Sequence, residues 1–306
     1  MQQKLNQVIS ALNEVVVGKS EAINLAVCCM LAKGHLLIED IPGMGKTTLA
    51  QALAIVFGMN YQRVQFTSDL LPSDILGVSV FDREKSEFKF HAGPIFSQLL
   101  LADEVNRATP KTQSALLEAM AEGQVSLDGE TRPLPKPFFV IATQNPERQG
   151  GTFPLPESQL DRFTIRLQLG YPNPEAEKKI LLGKAGDSLL KKLAAIMSPE
   201  EIVALQQQVE TIRISDAVID YIQRLLLATR QSSEISAGLS PRAALALVAC
   251  AKSWAFIEGR DYVIPEDVQQ IFTAVSGHRL RDSAHMISAS GSLSHSILAS
   301  TEVFGN

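Results

Sequence analysis

The chain has 306 residues, 45% of them apolar and 20% charged, and its 28 basic and 33 acidic side chains leave a net charge of −5. At about 150 residues per domain this length predicts roughly two domains, each with a core that needs no staples. The mild acidity speaks against a protein that coats nucleic acid or docks on an anionic membrane, and the 6% aromatic share favours aliphatic cores over an all-β sandwich.

In chain order, residues 1–33 read as two helices broken at Val17-Gly18-Lys19. Leu5, Val8, Ile9 and Leu12 fall at helical spacing between polar residues, which is an amphipathic surface and not a signal-peptide core. Cys28 and Cys29, with Cys250 far downstream, sit in apolar helical context and read as buried thiols of a reducing cytosol, so the expected location is cytoplasmic. His35 to Glu39 is a short apolar strand that stops at a turn, and a helix follows from Thr47 to Phe57. Val64 to Phe66 is a second short strand. Val78 to Phe81 and Phe88 to Phe90 flank the charged turn Asp82-Arg83-Glu84-Lys85 and predict a hairpin. Leu99 to Ala102 is a further apolar strand. Lys111 to Glu122 is a helix with Ala115, Leu116, Ala119 and Met120 on one face. Val125 to Leu127 and a Pro-rich stretch lead to the buried strand Phe138 to Ala142, and Ile165 to Leu167 is the last strand. Strands alternating with helices predict a parallel sheet covered on both faces.

Tyr171-Pro172-Asn173-Pro174 is a rigid connector, and strand signals end there. Helices are predicted over 176–193, 199–209, 216–230, 241–258 and 265–276, with Ser198-Pro199 and Ser240-Pro241 as helix starts. The longest apolar run, Ala243 to Ala251, is nine residues, about half what a membrane span requires. The Ser-rich tail from Ser288 is predicted to be loosely ordered. The chain therefore divides near 173, into an α/β part (1–173) and a helical part (174–306).

The strongest chemical signal is Asp40-Ile41-Pro42-Gly43-Met44-Gly45-Lys46-Thr47, between a strand and a helix. Such a loop turns backbone N–H groups onto phosphate oxygens at a helix N-terminus. Lys46 would reach the β- and γ-phosphates of ATP, and Thr47 would offer its hydroxyl to Mg²⁺. Asp40 stands where the usual pattern begins with Gly, a change the loop should tolerate. The strand Leu99 to Ala102 ends in Asp103-Glu104, 57 positions after Lys46. Two carboxylates at the end of a buried strand need a cation to face. Asp103 fits as the Mg²⁺ partner of Thr47, and Glu104 as the base that polarises the attacking water. Asn145, after the strand Phe138 to Ala142, either positions that water or caps the strand.

These motifs, in this order with Leu160-Asp161-Arg162-Phe163 and Gly238-Leu239-Ser240-Pro241-Arg242, resemble an AAA+ ATPase. Gly93-Pro94-Ile95-Phe96, Leu101 to Ala108, Gln113 to Met120, Ala142 to Pro146 and Leu155 to Phe163 resemble the MoxR family in particular. The resemblance covers about residues 10–280. It implies an AAA+ P-loop core with a parallel five-stranded sheet, followed by an all-α lid. It implies that Val17 and Gly18 lie beside the adenine, and that Pro42, Gly43, Met44, Gly45, Lys46, Thr47 and Thr48 form the nucleotide loop. Arg162 matches the arginine finger that reaches a neighbouring subunit's ATP. Arg242 matches the second sensor of the lid. Arg107 matches a family motif without a nameable contact, and the hairpin around Asp82 to Lys89 matches the insert of this branch. Glu147-Arg148-Gln149-Gly150 departs from the family wording, which has an acidic residue where Arg148 falls.

The family also implies a homo-oligomeric, hexameric ring, chaperone-like work on client proteins such as metalloenzymes, and von Willebrand factor A domain partners. A magnesium-chelatase-like motor subunit would share nearly all these residues. A nucleic-acid-remodelling motor is disfavoured, since no basic run exceeds a pair such as Lys178-Lys179. A module that binds nucleotide without turnover is disfavoured by the joint presence of Glu104, Asn145 and Arg162.

Overall fold

A computed structural model describes residues 1–145, 151–282 and 292–304. The α/β part contains α1 (Gln2–Val15), α2 (Ser20–Leu31), β1 (Leu36–Glu39), α3 (Lys46–Val56), β2 (Tyr61–Gln65), α4 (Pro72–Leu76), β3 (Gly77–Asp82), β4 (Glu87–Ala92), β5 (Leu99–Asp103), α5 (Pro110–Glu122), β6 (Gln124–Leu127), β7 (Glu130–Pro133), β8 (Phe139–Gln144), α6 (Glu157–Leu160) and β9 (Ile165–Leu167). The helical part contains α7 (Pro174–Leu181), α8 (Asp187–Leu190), α9 (Pro199–Glu210), α10 (Asp216–Gln231), α11 (Pro241–Ile257), α12 (Pro265–Ser276) and α13 (Ser292–Ser300).

The central sheet has five parallel strands in the order β2-β5-β8-β1-β9. Strands buried on both faces need apolar side chains in both directions, which is why β5 and β8 read as continuous hydrophobic runs. Leu36, Ile38, Leu99, Leu101, Phe139 and Ile141 face a core shared with α1, α2, α3 and the later helices. Leu37, Leu100, Ala102, Val140 and Ala142 face a second core with Ile75, Leu116 and Met120. The parallel topology brings the ends of β1, β5 and β8 to one edge, where an open sheet binds ligands.

Two hairpins project from this body, β3–β4 and β6–β7. They touch each other: Ser79 Oγ donates to Asp128 Oδ2 at 2.6 Å, and the Arg132 guanidinium lies 4.0 Å from the centre of the Phe90 ring. Val78, Val80, Phe81 and Phe88 of the first hairpin are exposed.

Besides the short helices α4 and α6, which were not expected, four details differ from the sequence expectations. β2 begins at Tyr61, three residues earlier than predicted. The Pro-rich stretch contains β7, paired with β6 across Asp128-Gly129, whose φ values of +54° and +79° make a tight hairpin turn. The helix expected over 176–193 is broken after Leu181, where Gly183 and Gly186 adopt left-handed backbone. The Ser-rich tail contains α13, whose Leu293 and Ile297 are buried and whose Ser294 Oγ lies 2.8 Å from Ser276 Oγ. The remainder of that tail (288–291 and 305–306) and the departure at Glu147 to Gly150 fall outside the described residues.

Candidate functional site

β1 delivers Glu39 to the loop, and α3 begins at Lys46 directly after it. Gly43 and Gly45 have φ values of +87° and +89°, and a Cβ on either would meet nothing within 4 Å. The backbone path, not crowding, demands glycine here, and open space lies over the loop where an anion would sit. Pro42 and Gly43 are exposed, while Met44, Thr47 and Thr48 are half-buried. Lys46 is 8% exposed. Its Nζ donates to the carbonyls of Asp40 and Ile41 and, at 3.4 Å, to Asn145 Oδ1. Burial pulls its pKa below the usual lysine value, against the opposing pull of Asp40, Asp103 and Glu104. Asp40, expected only as a tolerated change, has a structural task. Its carboxylate accepts the N–H groups of Leu169 at 2.7 Å and Gly170 at 2.6 Å, fastening the loop to the segment leaving β9.

β5 ends in Asp103, which is 8% exposed. Thr143 Oγ1 donates to its Oδ1 at 2.5 Å, and Arg63 donates to its Oδ2 through Nε at 3.2 Å and Nη2 at 2.7 Å. Glu104 sits in left-handed backbone, φ +55° and ψ +48°, which is uncommon for a residue with a Cβ. Its N–H donates to Thr143 Oγ1 at 2.9 Å, so one hydroxyl ties both acidic residues to β8. Asn145 Nδ2 donates to Glu104 Oε1 at 2.9 Å. Gln65 Nε2 and Arg107 Nη1 donate to Oε2 at 2.9 and 2.8 Å. The contact of Arg107 is therefore Glu104. Arg63, Gln65 and Thr143 were missed in the sequence. They are strand residues whose relevance comes from pairing, since Gln65 lies opposite Asp103 in the β2–β5 ladder.

The structure thus brings Lys46, Asp103, Glu104 and Asn145 together. The donor set suits a magnesium ion. Thr47 and Asp103 offer hard oxygen ligands, and Asp103 Oδ1 carries one side-chain donor, so a carboxylate lone pair stays open.

Val17 and Gly18 lie in the break between α1 and α2. Gly18 has a φ of +75°, and a Cβ there would come within 2.9 Å of Ala176 Cβ in α7. Lys19 Nζ closes the same corner by donating to the carbonyls of Gly170 at 3.0 Å and Tyr171 at 2.7 Å. Arg162 follows α6, and its Nη1 donates to the Leu117 carbonyl at 2.7 Å. Arg242, exposed at the start of α11, pairs with Asp161 at 3.8 Å. Asp161 also accepts from Ser240 Oγ at 3.2 Å and from the buried Arg279 Nε at 2.7 Å. Arg242 is thus paired with the residue that precedes Arg162 in sequence. Among the described residues, no hydrogen bond or ion pair joins either of them to Lys46, Asp103, Glu104 or Asn145.

A five-stranded sheet of this order, with a glycine-lysine loop on β1, an acidic pair on β5, an Asn on β8 and a helical lid, defines an AAA+ ATPase. Residues 35–165 match the model of the ATPase family associated with various cellular activities, and residues 227–296 match the AAA lid domain. The protein YeaC of Bacillus subtilis is 44% identical over 276 residues, 90% of this chain and 86% of the relative. Chaperone MoxR1 of Mycobacterium tuberculosis is 40% identical over 285 residues, 90% of this chain and 75% of the relative. A crystal structure of a candidate ATPase from Cytophaga hutchinsonii superposes with a TM-score of 0.90 at 36% identity, covering 100% of this chain and 96% of the other. The chain belongs to the MoxR family of AAA+ ATPases.

Proposed function

We propose that this ATPase works as a Mg²⁺-dependent, ring-forming motor that remodels or matures client proteins. The observation that carries the reading is the hydrogen-bonded group at the strand ends, in which Asn145 bridges Lys46 and Glu104 while Thr143 binds Asp103 and Glu104. In this reading ATP lies over Pro42 to Thr48 with its adenine beside Val17 and Gly18. Residues 1–173 form the nucleotide-binding domain, and 174–306 form the lid.

Lys46 neutralises the β- and γ-phosphates. Thr47 and Asp103 hold Mg²⁺, which when bound offsets charge on the phosphate oxygens. Asn145 orients a water, and Glu104 accepts its proton as the water oxygen bonds to the γ-phosphorus and the bond to the ADP oxygen breaks. Glu104 must first exchange some of its present donors, Gln65 and Arg107 among them, for that water. Among the described residues, Arg162 is held by the Leu117 carbonyl and pairs with no acidic side chain, which supports its acting on the ATP of a neighbouring subunit. The place of Arg242 beside Asp161 supports its acting together with Arg162.

A hexameric ring, a von Willebrand factor A domain partner and clients such as metalloenzymes are drawn from the family resemblance, and the work is cytoplasmic. The name of the mycobacterial relative, a chaperone, supports the client reading. The exposed Val78, Val80, Phe81 and Phe88 on the first hairpin give it an apolar contact surface.

Subunit mixing tests the proposal. Turnover per subunit should rise with protein concentration. Arg162→Ala and Glu104→Gln should each lose at least ~100-fold in kcat alone, and an equal mixture should recover measurable activity from sites that combine one intact half of each. Activity independent of concentration, with a silent Arg162→Ala, would overturn it.

A further inference from the structure

We infer that Arg63 is a built-in counter-ion of the metal position: it neutralises Asp103 in a subunit without nucleotide and competes with Mg²⁺ for that carboxylate. This rests on the reading of Asp103 as a metal-holding residue. β2 runs parallel to β5 with Arg63 opposite Leu101 and Gln65 opposite Asp103. Arg63 and Gln65 are two residues apart and so share a face of the strand, and the guanidinium extends along that face to Asp103. Two of its nitrogens, Nε and Nη2, converge on the single oxygen Oδ2.

A carboxylate as buried as Asp103 requires a cation. The ammonium of Lys46 is committed to the carbonyls of Asp40 and Ile41 and to Asn145, and Arg63 is the side chain that makes the ion pair with Asp103. The Arg63 side chain is 47% exposed, and its other contact is a single 3.3 Å hydrogen bond to Gln65 Oε1. It can therefore leave Asp103 without opening the core. Arginine stays charged at every working pH, so only displacement can remove its field.

Two effects of opposite sign follow. The guanidinium repels a divalent ion arriving at Asp103 and withholds one carboxylate oxygen from it. The same charge attracts a triphosphate that arrives without its metal. A residue that merely supported the fold would weaken both when removed.

The test uses the full chain as Arg63→Gln and as the charge-retaining Arg63→Lys. Mn²⁺ affinity is read by electron paramagnetic resonance in the presence of a non-hydrolysable ATP analogue. Affinity for a fluorescent ATP analogue is read separately in EDTA. Arg63→Gln should bind Mn²⁺ about three- to tenfold tighter and the metal-free nucleotide weaker by a similar factor, with Arg63→Lys between it and wild type. Unchanged or weaker Mn²⁺ binding by Arg63→Gln, with wild type binding normally, overturns the inference alone. Wild type that binds neither nucleotide nor Mn²⁺ overturns the nucleotide-site reading, and this inference with it.

Discussion

Single residues divide into those visible in the chain's wording and those visible only in space. Lys46, Thr47, Asp103 and Glu104 stand in contiguous runs whose chemistry follows from residue type and order. Arg63, Gln65 and Thr143 do not, because their meaning depends on which strands become neighbours, a long-range property of the sheet. Asp40 is an intermediate case. Its position at the loop's start is plain in the sequence, but besides the neighbouring Ile41 its backbone donors come from residues 129 and 130 positions away. Replacing it by alanine leaves the Leu169 and Gly170 N–H groups without that acceptor. Asp40→Ala should cost about 1–3 kcal/mol in urea unfolding and weaken nucleotide affinity in a fluorescence titration. Full affinity in the variant would show that the loop needs no such fastening.

At the level of elements, hydrophobic runs and turn residues predicted the sheet well, and the misses have physical causes. β7 ends in Pro133 and carries Glu130 and Arg132, so composition hides it, although Asp128-Gly129 was a hairpin signal in plain view. Gly183 and Gly186 likewise marked the break between α7 and α8. α13 is different. Serine favours caps over helix interiors, and the helix is held by burial of Leu293 and Ile297 and by the Ser294–Ser276 contact, which no local pattern reveals. Packing between elements also fixes Gly18, where the α1–α2 break meets α7. Gly18→Ala combines a disfavoured backbone with a 2.9 Å approach to Ala176. The variant should lose about 1–2 kcal/mol in urea unfolding and bind nucleotide more weakly. Wild-type stability would show that this corner yields freely.

At the scale of the whole molecule, two imidazoles buried among the described residues, His35 and His278, make stability sensitive to acid. Burial lowers the pKa of His35 from 6.5 to about 4, with Val140 N–H donating to Nδ1 and the Met120 carbonyl 3.3 Å from Nε2. Burial, then the charge of Arg279, holds His278 well below its ordinary value. The unfolded chain takes up a proton on each near pH 6.5, while the folded chain does so only at lower pH. Stability is therefore full above 6.5 and declines as pH falls from there toward about 4 for His35. His35 alone should remove about 1 kcal/mol by pH 5.5, read as a drop in the urea midpoint relative to pH 7.5. A midpoint that holds steady between those two values would contradict the buried, neutral imidazoles. One set of contacts also joins the helical part to the segment that carries Arg162. Asp161 is gripped from the helical side by Ser240, Arg242 and Arg279, and it is bonded in sequence to Arg162. If Arg162 acts on a neighbour's ATP as proposed, a pull on one subunit's lid would also reach the cation it lends to that neighbour. In the proposed ring, that arrangement would make each subunit the timekeeper of the next.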